Sequence, residues 1–543
     1  MKDVIIKYKK NSPFVSITKL RLIRTSFLIF LISSFLVSCS KSNSIGSGIF
    51  EEESSLPLKN IQFIEQNDSQ SIRLLKAARV VPTKRQLDWQ KKELIAFVHF
   101  GLNTFTGKEV GEGNENPSLF NPTAFNARQW ARIFKETGFK TVILTAKHHD
   151  GFCLWPTKTT DYSVKKSRWR KGQGDVVKEL SMACREEGLS FGFYLSPWDR
   201  HEKTYGTTRY NEIFRAQLKE LLTNYGPIAE VWFDGYCGEA PGTRKQSYDW
   251  PSYYQLIRRW QPEAVIAIMG PDVRWVGNEN GLARESEWSV LPLELPEPKL
   301  AWLCSGSYSL EKVFEPQQMT SPEPGSREKI LAAQALFWYP AEVDVSIRPS
   351  WFYHKNEDSL VKTPRQLVEI YFQSVGRNSV LLLNVPPDTR GLLNENDIKA
   401  LRGFHHLLDS IFKKDLAKGA RVKASTEDKH HPASFIVDDD PDTYWRADEG
   451  QTEATLEFSL KEPKQFDCLE LQEEITRGQR IEKFSVDIWN QGNWVKIANG
   501  TTIGYKRLLN FPEVTSNRIR LIIQQSRATP TLKKFSLFRK GEF

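Results

Sequence analysis

Tyr225-Gly-Pro-Ile-Ala-Glu-Val-Trp-Phe-Asp-Gly-Tyr-Cys237 is the stretch from which the fold of this 543-residue chain is read. Tyr225, Gly226 and Pro227 end whatever precedes them. Ile228 to Phe233 then form a short, mostly apolar run, which suits a buried strand. A lone carboxylate, Asp234, stands at its C-terminal end, followed by Gly235. A charge at such a tip is costly unless it faces a polar cleft. Barrel enzymes place their catalytic groups there, although an Asp-Gly pair is also an ordinary turn.

The surroundings repeat the pattern. Ala96–Phe100, Thr141–Thr145, Ser190–Leu195, Glu230–Asp234, Val265–Met269 and Val380–Asn384 read as strands. Helix-like stretches such as 126–137, 175–187 and 208–225 lie between them. This alternation predicts parallel βα units and a (β/α)8 TIM-like barrel over residues 79–417, with a doubly wound open sheet as the alternative. No GxGxxG follows the first strand, which speaks against a dinucleotide fold. Past residue 418, short runs with partial alternation (Thr455–Phe458, Cys468–Gln472, Phe484–Trp489, Trp494–Ile497, Arg518–Ile523) predict an all-β sandwich over 418–543.

At the other end, Lys19, Arg21 and Arg24 precede an apolar run from Phe27 to Val37, too short to span a bilayer comfortably. Leu36-Val-Ser-Cys39 resembles a bacterial lipobox, which implies cleavage before Cys39 and lipidation of that residue. Residues 1–38 are thus read as a lipoprotein signal peptide and 39–78 as a polar tether. This makes the chain an exported, membrane-anchored lipoprotein, periplasmic or at the cell surface, of a bacterium. The five remaining cysteines show no CxxC pair and no metal-ligand spacing, so no disulfide framework is expected. The net charge of +9 (75 basic, 66 acidic) is scattered, which argues against a nucleic-acid partner.

Polar groups gather past the strand tips: His99, His148-His149-Asp150, Tyr194, Trp198, Asp199 and Asp234. In a parallel barrel these converge on one face. Neighbouring His148 and His149 diverge on an extended chain, so a metal held with His99 is not favoured. Beyond the fifth strand, a Gly- and Asn-rich loop carries Trp275 and Glu279. Asp234 and Glu279 are then two carboxylates on neighbouring connections, the minimum equipment for cleaving a glycosidic bond. Asp272, Glu285 and Glu287 lie close by as rivals.

Several motifs, in order, resemble the α-L-fucosidases of glycoside hydrolase family 29: His99-Phe-Gly-Leu-Asn-Thr-Phe, Thr145-Ala-Lys-His-His-Asp-Gly-Phe, Phe193-Tyr-Leu-Ser-Pro-Trp-Asp-Arg-His and Glu230-Val-Trp-Phe-Asp-Gly. Val273-Arg-Trp-Val-Gly-Asn-Glu-Asn-Gly and Glu342-Val-Asp-Val-Ser-Ile-Arg-Pro-Ser-Trp-Phe-Tyr-His are similar to the subgroup that prefers α-1,3/1,4-linked fucose on branched glycans. The resemblance implies Asp234 as nucleophile and Glu279 as acid/base of a retaining mechanism without a cofactor. It implies contacts to fucose from His99, Glu109, His148, His149 and Tyr194, and an aromatic wall at Trp351, with Trp198 counted among the binding residues. Val110 stands where relatives often carry Trp.

The implied partners are fucosylated glycans; a broader fucosidase and a surface lectin that has lost catalysis are the alternatives. From Ala433 to Trp445, and at Arg518-Ile-Arg-Leu-Ile, the chain resembles a discoidin-like module, often used to bind carbohydrate. Its acidic loop, Asp438 to Asp442, is either a structural Ca2+ site or an Asp-Pro turn.

Overall fold

In the computed structural model, residues 53, 55–238, 245–317 and 320–541 are described. The expected signal peptide and Cys39 lie outside them. Eight parallel strands make the barrel: β1 Leu94–Val98, β2 Thr141–Lys147, β3 Ser190–Leu195, β4 Glu230–Phe233, β5 Val265–Ile268, β6 Arg274–Trp275, β7 Ala341–Ser346 and β8 Ser379–Asn384. They pair in the order β5-β4-β3-β2-β1-β8-β7-β6. A parallel bridge from Ala267 to Val273 nearly closes the ring. Nearly every strand residue is buried, because helices cover the outside while side chains fill the inside.

The helices form where the sequence starts and stops them. Asn126 and Asp175 accept from backbone N–H groups three residues on, capping 127–136 and 176–186. Thr83 with Gln86, and Thr363 with Gln366, make complete capping boxes. The first of these boxes opens the helix Lys84–Gln90, which leads directly into the N-terminal end of β1 and carries Trp89 into the barrel interior.

Two departures from the expected pattern bear on the site. Residues 274–275, expected inside a loop, form β6, and only five residues separate it from β5, so no helix fits between them. Strand β7, unanticipated as a strand, places Glu342 and Asp344 in the barrel. The long β6–β7 connection contributes Val290–Pro292 and Ala335–Trp338, which form a three-stranded antiparallel sheet with Ile61–Phe63. That pairing corrects the expected tether. From residue 55 onward the chain is built into the body, and Gln70–Ala78 is a helix.

The C-terminal module is all β, built on β9 Arg421–Ala424, β10 Ala454–Gln472, β11 Ile481–Asn490, β12 Asn493–Gly500, β13 Arg507–Ser526 and β14 Lys534–Phe538. Runs read as separate strands belong to two long ones, β10 and β13, which stay paired across register shifts. Their core includes Trp445 and the stacked pair Phe458–Phe535. In the acidic loop, Asp438 accepts from Asp440 N–H and the Thr443 hydroxyl, and Asp440 accepts from Asp442 N–H. All five cysteines among the described residues are free.

The module is locked to the barrel by polar groups and close approach. Asn378, just before β8, donates to Glu287 O and accepts from Tyr505 N–H. Gly478 sits at φ 99°, and a Cβ there would fall 2.0 Å from the Ala78 carbonyl oxygen. Only glycine fits.

Candidate active site

Every barrel strand except β5 delivers a polar or aromatic group to the C-terminal face. Past β1 comes His99; past β2, His148 and His149; on and past β3, Tyr194, Ser196 and Trp198. Asp234 follows β4 and Glu279 follows β6. Trp351 follows β7, and Asn384 ends β8.

Asp234 is held by a donor on each oxygen. Its Oδ2 accepts from the Tyr194 hydroxyl at 2.9 Å, and its Oδ1 from the Tyr236 backbone N–H at 2.7 Å. His149 Nε2 lies 3.6 Å from Oδ2. Desolvation raises the Asp234 pKa, and those two donors work against it by stabilising the anion. The Tyr194 hydroxyl, one of the groups the resemblance places at the sugar, thus donates to Asp234.

His99 and His149 are buried and His148 half-buried, and desolvation holds all three below the usual imidazole range. Burial pushes His99 down to about 3, partly offset by its bond to Asn384, while burial and then Lys147 and Arg200 push His149 to about 3. His99 Nδ1–H donates to Asn384 Oδ1 at 2.9 Å. Ser196 gives its own proton to Trp198 O, so its oxygen accepts from His149 Nδ1–H at 2.7 Å. These networks assign both tautomers and leave each Nε2 an acceptor. His148 Nδ1 is buried with no partner in the protein, and its ring stacks on Tyr194.

Glu279 is exposed on the loop after β6, and desolvation by its neighbours raises its pKa. A hydrogen bond from the Trp351 indole opposes the rise, and the charge of Asp234 adds to it. The two carboxylates therefore sense each other. The Trp275 indole N–H donates to Asp344 at 2.8 Å. Trp351 also packs on His99, with ring centroids 5.1 Å apart.

The rival carboxylates are structurally committed. Asp272 pairs with Arg85 and Arg258 and accepts from Ile266 N–H. Glu287, fully buried, pairs with Arg274 and Arg284. Glu285 bridges Arg377 and Arg507 where the module meets the barrel. Glu109 accepts from Trp351 N–H at 2.8 Å and pairs with His354 at 2.8 Å, so it holds the Trp351 loop in place. Val110, half-buried, packs against the barrel core.

Sequence reasoning missed Asn384 and Lys147. Asn384 accepts from both the backbone N–H and Nδ1–H of His99, and donates to Trp351 O and Ser346 Oγ. One buried amide thus orients two walls of the cleft. Lys147 is fully buried and ion-paired at 2.9 Å with Asp199, which caps the turn after Trp198 through His201 and Glu202 N–H. Leaving either charge alone costs about 3–5 kcal/mol.

If Tyr194 stabilises ionised Asp234, Tyr194→Phe removes one charge-assisted hydrogen bond of roughly 1.5–3 kcal/mol. The acidic limb of kcat/KM on an aryl fucoside then moves up by about 1–2 pH units. A limb that stays where it was would show that Asp234 is not the group titrating there.

Comparison with known proteins agrees with this layout. An alpha-L-fucosidase family model matches residues 83–410, and an F5/8 type C domain model matches 421–535. The chain is 43% identical to Alpha-L-fucosidase 1 of Arabidopsis thaliana over 467 residues, which cover 84% of this chain and 87% of that one. A solved structure from Bacteroides ovatus is 47% identical with a TM-score of 0.78, covering 90% of this chain and 79% of that one. A GH29 fucosidase of Ruminococcus gnavus, solved in complex with fucose, is 32% identical with a TM-score of 0.74, covering 85% and 95%. With an eight-stranded barrel that gathers two carboxylates, three histidines and an aromatic wall at one face, and with these matches along most of its length, the chain belongs to the alpha-L-fucosidase family of glycoside hydrolases.

Proposed function

We propose that this protein is a retaining exo-α-L-fucosidase that removes α-1,3- and α-1,4-linked fucose from branched glycans. The observation that supports the mechanism is the different surroundings of two carboxyls, both raised by desolvation. Asp234 has two donors that favour its anion, whereas Glu279 has one, the Trp351 indole, and is raised further by the charge of Asp234. Asp234 attacks the anomeric carbon while protonated Glu279 gives its proton to the departing oxygen. Glu279, now a carboxylate, deprotonates a water that attacks the same carbon and frees Asp234. Two inversions retain configuration, and the geometry requires carboxyls about 5–5.5 Å apart.

Both steps are written with protein groups and water alone. The Nε2 atoms of His99 and His149, the latter beside Asp234, suit the hydroxyls of one sugar, and the Trp351 face suits its apolar side. Tyr236, next but one to Asp234, is 51% exposed and packs on Trp198, giving a flat rim for a leaving sugar. The linkage preference rests on the sequence resemblance at 273–281 and 342–354.

Fucose release from a Lewis-type trisaccharide and its unbranched disaccharide counterpart tests this reading. Wild type should favour the branched substrate. Glu279→Gln should lose roughly 10²–10⁴-fold in kcat on it, with Asp234→Asn at least as impaired. Equal rates on both glycans and on an aryl fucoside would favour a broad fucosidase. Fucoside binding without release would mark a lectin.

We also propose export and lipid anchoring through Cys39. Cys39→Ala should abolish incorporation of labelled fatty acid and release the protein from membranes. Unchanged labelling would refute the anchor.

A further inference from the structure

Beneath the catalytic face the barrel interior holds three carboxyls that the hydrolysis does not use. Each receives one indole N–H. Trp89 donates to Glu230 at 3.0 Å, Trp232 to Glu342 at 2.7 Å and Trp275 to Asp344 at 2.8 Å. Glu230 and Glu342 are each 1% exposed. Glu230 comes from β4 and Glu342 from β7, so they face each other across the barrel interior and each feels the other's carboxyl. Beside the oxygen that takes the indole N–H, the Oε1 of each is buried and receives no donor from the protein. Two carboxyl groups can bond to each other only through a proton, because a carboxylate has acceptors alone.

Above this pair, the Trp232 indole stacks on Tyr194, with centroids 5.3 Å apart and 26° between planes, and packs on Phe97 at 5.3 Å. Tyr194 in turn holds Asp234. We propose that Glu230 and Glu342 share a proton and act as positioning residues, fixing Trp232 beneath Tyr194 and so the phenol that holds Asp234. The pair replaces the apolar filling usual in a barrel with a hydrogen-bonded strut running up to the nucleophile.

The charges that face the pair favour a retained proton. Glu230 faces Lys92 and the Trp89 indole; Glu342 faces Glu230, Asp344 and the Trp232 indole. Burial carries Glu230 up to about 7, with Lys92 opposing, and carries Glu342 well above the carboxylate range. Both values lie above those of the unfolded chain. The stability they confer is therefore fullest below the ordinary glutamate range and falls as pH rises towards the folded values.

The functional part of this inference rests on Asp234 as the reacting carboxylate; the shared proton does not. The test uses the full chain as wild type, Glu342→Gln and Glu342→Leu. An amide accepts from Trp232 and donates to Glu230 as the protonated acid does, so Glu342→Gln should keep kcat within about threefold of wild type. Glu342→Leu should lose kcat by about tenfold or more, with KM changed less, because Tyr194 is no longer supported from below. Infrared difference spectra between wild type and Glu342→Gln at about pH 8 should show the loss of one carboxylic-acid C=O band.

Absence of that band from wild type would overturn the shared proton whatever the kinetics. With the band present, a Leu variant as active as the Gln variant would overturn the positioning role. Should Glu342→Leu fail to fold, the spectra and the kcat of Glu342→Gln decide between them. A wild type without turnover but with the band would count against the catalytic reading and not against the pair.

Discussion

An anion must be kept at the end of a strand that is otherwise apolar, and the rest of the site follows from that constraint. Asp234 sits where desolvation favours the neutral acid, yet the nucleophilic role proposed for it requires the anion. The chain resolves the conflict with donors rather than with a cation. The Tyr194 hydroxyl and the Tyr236 N–H approach the two oxygens separately, and His149 is neutral beside them. A lysine or arginine in contact would stabilise the anion more strongly, but it would also weaken the attack. The two donors favour the Asp234 anion against the desolvation that raises its pKa.

Each supporting group is itself supported. Tyr194 rests on Trp232, Trp232 on Glu342, and Glu342 on Glu230. On the opposite wall Asn384 orients His99 and Trp351 together, and Glu109 holds the same Trp351 loop from outside. Trp351 then reaches Glu279. Asp234 and Glu279 are thus reached by one set of contacts rising through the barrel interior and another crossing its rim, and the two sets meet at Phe97, which packs on Tyr194, Trp232 and Trp351.

Much of this was legible in the sequence, and what was not has physical reasons. Apolar runs ending in His99, Tyr194 and Asp234 mark β1, β3 and β4 because those strands are buried on both faces. Strand β6 has two residues and no period to detect. Strand β7 carries Glu342 and Asp344 at interior positions, which breaks the apolar pattern; only the indoles of Trp232 and Trp275, distant in sequence, make them tolerable there. The same distance hid the role of Asn384, whose strand was recognised, and the bond from Trp275 to Asp344. The segment from residue 55 reads as a polar tether because Ile61–Phe63 is too short to announce itself; its pairing with Ala335–Phe337 is a long-range contact.

The central claim is that Asp234 forms and breaks a bond to the sugar. Its most direct test is a fluorinated fucosyl fluoride, which forms a glycosyl ester quickly and releases it slowly, followed by peptide mass analysis. One label per chain on the peptide containing Asp234, absent in Asp234→Asn, is the predicted result. A label on Glu279 or another carboxylate, or turnover with no trapped ester, would contradict the account.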